Sequence, residues 1–286
     1  MIETYKEMFQ SEFFLKALIA GTVIGFSNGF YSGFVNLRRQ ALSVSALSHT
    51  MLPGIALTIW LTGELSQASA FIGAVFAAMM VGLGSVLVSR NSRIPQGTAL
   101  AIFYTSAFAA GVAALPHLPV QTELEHWLFG NILVICDSDL YTTFGVASAT
   151  LLLSTLFMRP LVLTLFEPNV AAAQGVPTRT MQYLSFSMLV LMLVSSLQSV
   201  GCALSVGLLV GPAAIMLFYT NSTTALFWGG GIIGALSSVL GILLSVLLNI
   251  APGPAILIVL GAFFLLSFII SPKYGILSLS SGKHQH

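Results

Sequence analysis

The chain has 286 residues, of which 56% are hydrophobic and only 7% are charged. An ordinary globular domain carries roughly a quarter charged residues, so this composition excludes a soluble fold. The net charge of +1 gives no indication of a nucleic-acid partner.

Apolar stretches long enough to cross a membrane recur along the chain. A helix needs about 20 apolar residues to cross a hydrocarbon core about 30 Å thick, and the alternation typical of membrane β-strands is absent. We therefore predict an all-α, polytopic transmembrane helical bundle of about nine spans within a single domain, 1–286. Eight spans result if the turn near Gly201 breaks one of them. The predicted spans are 12–36, 42–62, 67–89, 96–115, 140–158, 181–199, 202–219, 226–249 and 254–271.

The basic residues indicate an orientation, because Lys and Arg mark cytoplasmic loops. With nine spans and the N-terminus outside, every Lys and Arg except Lys6 and Lys16 falls on the cytoplasmic side. Glu167 is then the only acidic residue on that side. We predict a multi-pass protein of the inner or plasma membrane with an extracytoplasmic N-terminus and a cytoplasmic C-terminus.

The first span carries Gly21, Gly25, Gly29 and Gly33 at a spacing of four residues. Small residues at this spacing lie on one helix face and let two helix backbones approach closely. The stripe is consistent with packing inside the chain, with a dimer interface or with a conduit wall.

The second span contains His49, the only histidine predicted to lie within a span. Intramembrane ionisable groups are functional candidates, and imidazole binds transition metals. Ser45 lies one turn earlier on the same face, and Pro53 and Gly54 follow one turn later, where they favour a locally opened helix. His49 is either a metal ligand or a histidine hydrogen-bonded to a neighbouring helix.

Two connections carry further predictions. The outer segment 127–136 is too short to cross and is predicted to be interfacial or re-entrant. The cytoplasmic loop 159–180 contains Glu167-Pro168-Asn169, which favours the start of a short helix, and Gly175, which favours its end.

Prolines interrupt two later apolar segments. Gly211-Pro212 lies in LLVGPAAIML, and Pro252-Gly253 lies in NIAPGPAIL. Broken helices expose backbone carbonyls where they line a cavity, so these positions are candidate conduit residues, with simple kinks as the alternative.

Several catalytic and nucleotide-binding motifs are absent from the sequence. There is no G-x-x-x-x-G-K-[ST], so the chain does not bind ATP by a P-loop. H-E-x-x-H is also missing, and Cys136 and Cys202 form neither a disulfide framework nor a CxxC motif. The sequence therefore favours a transport subunit over an intramembrane enzyme.

Five segments in order resemble the permease subunit of the manganese, zinc and iron class of ATP-binding-cassette importers. They are NLRRQALSVSALSHTMLPGIAL, LEHWLFGNILVICDSDL, FEPNVAAAQGVPTR, VGCALSVGLLVGPAAIML and APGPAILIVLGAFFLL. The resemblance spans nearly the whole chain.

This resemblance implies an importer that moves Mn, Zn or Fe inward by alternating access. It implies three partners: an ATPase that binds ATP, an extracytoplasmic solute-binding protein, and a second permease copy or related permease chain. No permanently bound cofactor is implied. The third segment resembles the coupling loop that docks on the ATPase, which implies a mechanical role for Glu167, Asn169, Ala171, Ala172 and Gly175.

The second-helix segment departs from the family pattern at one position. That pattern places an Asp four residues before the His, whereas this chain has Ser45 four residues before His49. A softer metal, substitute ligands or a chelate as cargo would each accommodate the change. The competing function is a secondary transporter working without an ATPase, although no acidic residue lies within a confidently predicted span.

Overall fold

The computed structural model describes residues 12–63, 66–114 and 137–271, and within these ranges all regular structure is helical. The predicted outer segment 127–136 lies wholly outside the described residues. The helices are α1 (Glu12–Leu37), α2 (Ala41–Ser48), α3 (Met51–Thr62), α4 (Gln67–Asn91), α5 (Gln96–Ala114), α6 (Asp137–Leu156), α7 (Met158–Phe166), α8 (Pro168–Ala173), α9 (Thr178–Val200), α10 (Cys202–Leu217), α11 (Thr223–Leu248) and α12 (Pro252–Ile270).

The described helices confirm an all-α polytopic bundle, with slightly fewer spans than predicted. Seven helical segments among the described residues are long and apolar enough to cross a membrane. The bent pair α6 and α7, at 69° to each other, raises this to eight if it counts as one span. The ninth predicted span corresponds to α10. Its 16 residues reach only about 24 Å, which is too short to cross a bilayer core.

The chain divides into two compact units. Unit 1 comprises residues 1–36, 129–144 and 199–286, and unit 2 comprises 37–128 and 145–198. The single domain 1–286 predicted from the sequence stays a prediction.

Unit 1 is built around α1, α10, α11 and α12, with buried side chains such as Ile24, Leu208, Ile242 and Ile256 at its centre. The glycine stripe of α1 lies against α11. A Cβ on Gly25 would overlap the carbonyl of Gly234, and one on Gly29 would overlap the carbonyl of Gly230. At these positions the stripe therefore serves helix packing within the chain.

Glycines also allow close helix packing around α3 in unit 2. Gly54 of α3 and Gly73 of α4 each lie against the other's carbonyl, and Gly111 of α5 lies against the backbone of Pro53. Three helices thus meet closely at the Pro53-Gly54 step, just after His49.

Candidate functional site

The second predicted span is broken at His49 and Thr50. Helix α2 ends at Ser48, and α3 begins at Met51. The Thr50 hydroxyl donates to the Leu47 carbonyl at 2.7 Å, and the Ser48 hydroxyl donates to the Ser45 carbonyl at 2.7 Å. Local hydroxyl groups thus satisfy backbone carbonyls at this turn, and the predicted opening of the helix stays a prediction.

His49 lies at this break and is exposed, whereas Ser45 is half-buried. Its ring stands edge-on to Phe108 of α5, with the ring centroids 6.0 Å apart at 71°. No group of three or more His, Cys, Asp or Glu side chains that could hold a metal occurs among the described residues. His49 and Ser45 thus form at most part of a coordination sphere.

Pro53 and Gly54 line an apolar groove in unit 2. Its volume is ≈ 730 Å³, and its walls include Trp60, Phe76 and Phe103. His49 is not among the lining residues, and none of them is ionisable. The groove therefore offers no charged ligand for a cation, and the role of Pro53 and Gly54 as conduit residues stays a prediction.

The interruption expected at Gly211-Pro212 is not seen, because α10 continues through Pro212. Polar side chains of α1 bind the neighbouring backbone instead. The Ala213 N–H donates to the Ser32 hydroxyl at 2.9 Å, and the Asn36 amide donates to the Val210 carbonyl at 2.8 Å. Side chains of α1 thus bind backbone groups on both sides of Pro212, and the role of Gly211 and Pro212 as conduit residues stays a prediction.

Pro252 and Gly253 begin a helix instead of breaking one. Pro252 occupies the first turn of α12, where a missing N–H costs nothing, and Asn249 ends α11 in the left-handed conformation at φ 52°. The expected break is thus the connection between two helices.

The loop predicted at 159–180 holds two helices, α7 and α8. Pro168 opens α8, and the Ala171 N–H donates to the Glu167 carbonyl at 2.9 Å. At the other end Gly175 has φ +79°, its N–H donates to Ala172, and the Val176 N–H donates to Ala171, both at 3.0 Å. This is the Schellman arrangement, so α8 begins and ends where the sequence predicts.

In helix α8 only the side chain of Ala171 is buried, and the other side chains are exposed. Ala171 is fully buried, while Glu167, Asn169, Ala172 and Gly175 are exposed. Sequence reasoning missed two apolar members of this surface, Phe166 at 55% and Val170 at 43% exposure. Phe166 ends α7 and Val170 lies in α8, with the non-helical Glu167 between the two helices, so no helical spacing in the sequence relates them.

The surroundings of α8 place it at one end of unit 2. Arg90, in the last turn of α4, donates to the side-chain oxygen of Gln182 near the start of α9 at 2.9 Å. This hydrogen bond places the end of α4 and the start of α9 at the same end of unit 2. Helix α8 directly precedes α9 in the chain and therefore lies near that end, together with Arg90 and Arg179.

Comparison with known proteins identifies relatives over nearly the full length. Residues 10–271 match the family described as ABC 3 transport family. The manganese import system permease protein ScaB of Streptococcus parasanguinis is 38% identical over 264 residues, covering 92% of each chain. The manganese transport system membrane protein MntC of Halalkalibacterium halodurans is 35% identical over 275 residues, covering 96% of this chain and 92% of the relative.

A solved structure has the same fold. PsaBC from Streptococcus pneumoniae in complex with Fab superimposes with a TM-score of 0.83 at 35% identity, covering 98% of this chain and 100% of the other.

Proposed function

The chain belongs to the ABC 3 transport family and is the membrane permease subunit of a metal importer, and we propose that its cargo is manganese and that a separate ATPase drives it. The relatives named above, MntC and ScaB, are manganese transport proteins, which supports this cargo. The chain itself has no P-loop, so ATP hydrolysis belongs to the partner.

The exposed surface of α8 is the observation that supports an ATPase partner. A short helix anchored by Ala171 presents Phe166, Val170 and Glu167 outward. Exposed apolar side chains rimmed by polar groups are typical of protein interaction sites. We propose that Glu167, Asn169, Ala171, Ala172 and Gly175 form the element that docks on the ATPase.

The chain connections explain how docking would move the spans. Only Glu167 separates α7 from α8, and four residues separate α8 from α9. Because these joints are short, a displacement of α8 passes directly to two longer helices. ATP binding by the partner would in this way switch the permease between outward- and inward-facing states, which is alternating access.

The proposed cargo contact is the break at His49. The exposed imidazole lies beside half-buried Ser45, and without a carboxylate their affinity for a divalent cation is low. Weak binding suits a passage, because the transported ion must leave again.

The assembly proposed around this chain follows the direction of transport. An extracytoplasmic solute-binding protein delivers the metal, and a second permease copy or a related permease chain completes the membrane part. The N-terminus lies outside and α8 lies in the cytoplasm, in keeping with the basic residues at the same end of unit 2.

Reconstitution tests the proposed function. The permease is co-reconstituted with its ATPase and solute-binding protein in liposomes, and uptake of radiolabelled Mn²⁺, Zn²⁺ and Fe²⁺ is measured. We expect Mn²⁺ uptake that requires ATP and stops when the P-loop lysine of the ATPase is replaced. Undiminished uptake without the ATPase would establish a secondary transporter instead, and uptake of Zn²⁺ or Fe²⁺ alone would refute the cargo.

Ser45→Asp should strengthen manganese binding at the His49 break. A carboxylate one turn before His49 adds a hard, charged oxygen ligand, so we expect the Mn²⁺ concentration for half-maximal uptake to fall by about tenfold. His49→Ala should raise it. Ser43→Asp is the matched control, since it adds the same charge to α2 two residues away and about 200° around the helix. An equal effect of Ser43→Asp would show that general charge, and not a ligand pair, governs uptake.

A further inference from the structure

Three buried polar side chains on α1 and α11 have no hydrogen-bond partner in the part of the chain that the structure describes. They are Asn28, whose amide nitrogen and oxygen are both without a partner, and the hydroxyls of Ser237 and Ser238. Each of the three residues has 0% exposure. Buried polar groups are nearly always paired, so three within one pair of helices require an explanation.

Other buried serines of unit 1 donate hydrogen bonds to backbone carbonyls. Ser32 donates to the Gly29 carbonyl, Ser205 donates to the Gly201 carbonyl at 2.8 Å, and Ser245 donates to the Ile250 carbonyl at 2.6 Å. A serine on a helix reaches a nearby carbonyl at little cost. Ser237 and Ser238 do not, and an unpaired amide such as Asn28 is especially unfavourable where no water is present.

One of the unpaired groups, Ser238, lies at the glycine contact between α1 and α11, here called the α1–α11 seam, and Asn28 and Ser237 are adjacent in the chain to residues of this contact. The hydroxyl of Ser238 and the carbonyl of Gly234 occupy the space where a side chain at Gly25 would lie. Asn28 lies on α1 between Gly25 and Gly29, which contacts Gly230. The contacts at Gly29 and Gly230 are backbone against backbone, and Phe26 of α1 lies against Gly231 of α11.

An aromatic cluster holds the adjoining part of the same two helices. Phe30 lies against Phe227 and Trp228 with ring centroids 5.4 Å apart in both pairs, and Phe34 lies 4.4 Å from Phe227. Aromatic pairs of this kind add to the stability of packing. Aromatic pairs thus hold one end of the seam, and the hydrophobic core of unit 1, which includes Ile24 and Ile242, adjoins the other end.

We infer that the α1–α11 seam opens in a second state of the transport cycle, where Asn28, Ser237 and Ser238 face water and form a polar wall for a hydrated divalent cation. Hydration satisfies the unpaired groups, which offsets the loss of glycine contacts. An amide and two hydroxyls bind the water shell of a cation without holding it permanently, because none carries a charge. The inference rests on the proposed alternating-access function.

Cysteine accessibility tests the opening. Asn28→Cys and Ser237→Cys are made in a chain with Cys136 and Cys202 replaced by alanine, reconstituted with the ATPase and binding protein. A membrane-impermeant, positively charged methanethiosulfonate is applied without nucleotide and with ATP and vanadate. We expect modification of both positions to be at least about tenfold faster in one of the two states.

Ser205→Cys is the matched control, because Ser205 is equally buried in unit 1 but has its hydrogen bond. Its modification should be slow in both states, and denatured samples define complete modification. If Asn28→Cys and Ser237→Cys stay unmodified in both states while ATP-driven uptake is intact, the seam does not open and the inference fails. Loss of ATP-dependent uptake by the unmutated complex would instead refute the proposed function.

The variant Asn28→Leu distinguishes a role of Asn28 in opening the seam from a role in stabilising the fold. Leucine removes the unpaired amide at similar size, so we expect a higher melting temperature of the detergent-solubilised complex and uptake reduced by about tenfold. A lower melting temperature, or unchanged uptake, would show that Asn28 does not act through an opening seam.

Discussion

Replacement of Gly175 by tryptophan reduces ATP-driven uptake to less than about a tenth of the unmutated rate while the protein still reaches the membrane. Gly175 ends α8 with φ +79° and is exposed, and a side chain there meets no atom within 4 Å of its Cβ. The indole therefore disturbs little inside the chain but projects from the proposed docking surface. The measurement is uptake together with ATP hydrolysis by the assembled complex.

Gly63→Trp is the matched control for this result. Gly63 ends α3 with φ +75°, is exposed and likewise has nothing within 4 Å of an added Cβ. Both substitutions impose the strain of a left-handed residue, about 1–2 kcal/mol. Equal losses in the two variants would attribute the effect to strain, whereas a loss confined to Gly175 supports docking. Glu167→Arg should reproduce the loss by reversing a charge on the same surface.

Gly241→Val destabilises unit 1 more than any other single change considered. A Cβ on Gly241 of α11 would overlap the backbone of Ile256 in α12, so the two helices must move apart. Overpacking of a close contact costs about 1–3 kcal/mol, and a clash with backbone lies at the upper end because no rotamer relieves it. We expect a clear fall in the melting temperature of the solubilised protein and reduced accumulation in the membrane.

Gly261→Val tests whether the contact is responsible. Gly261 lies on α12 in the same unit, is exposed, and has no atom within 4 Å of an added Cβ. Its replacement should leave the melting temperature nearly unchanged, because a helical glycine loses little when it gains a side chain in open space. A melting temperature that falls equally in both variants would mean that valine itself, and not the contact with Ile256, causes the loss.

Local features were predictable where neighbouring residues decide the structure. Pro168 and Gly175 bound α8 because a proline tolerates the first helical position and a glycine tolerates positive φ. Most spans were predictable because the bilayer demands long apolar helices. Helix α10 was overestimated, since the apolar run around Pro212 continues to residue 219 while the helix ends at Leu217.

Tertiary contacts explain where prediction failed. Pro212 resembled a break in the passage, but Ser32 and Asn36, more than 170 residues earlier, bind the backbone around it. The packing of the helices around Pro53 and Gly54 decides that they line an apolar groove, and their role as conduit residues stays a prediction. The sequence shows Asn28 as a polar amide within a predicted span. Whether this amide has a hydrogen-bond partner depends on how α11 packs against α1.

The sequence by itself determined the membrane class, the helical architecture, the ends of α8 and the departure at Ser45, because composition and short-range spacing decide each of these. Only the tertiary structure decided that His49 is exposed at a helix break, that Ala171 anchors α8, and that the α1 glycines close on α11 around unpaired polar groups. The physical reason is that burial and hydrogen-bond satisfaction belong to pairs of helices far apart in the chain, and no local pattern records which helices meet.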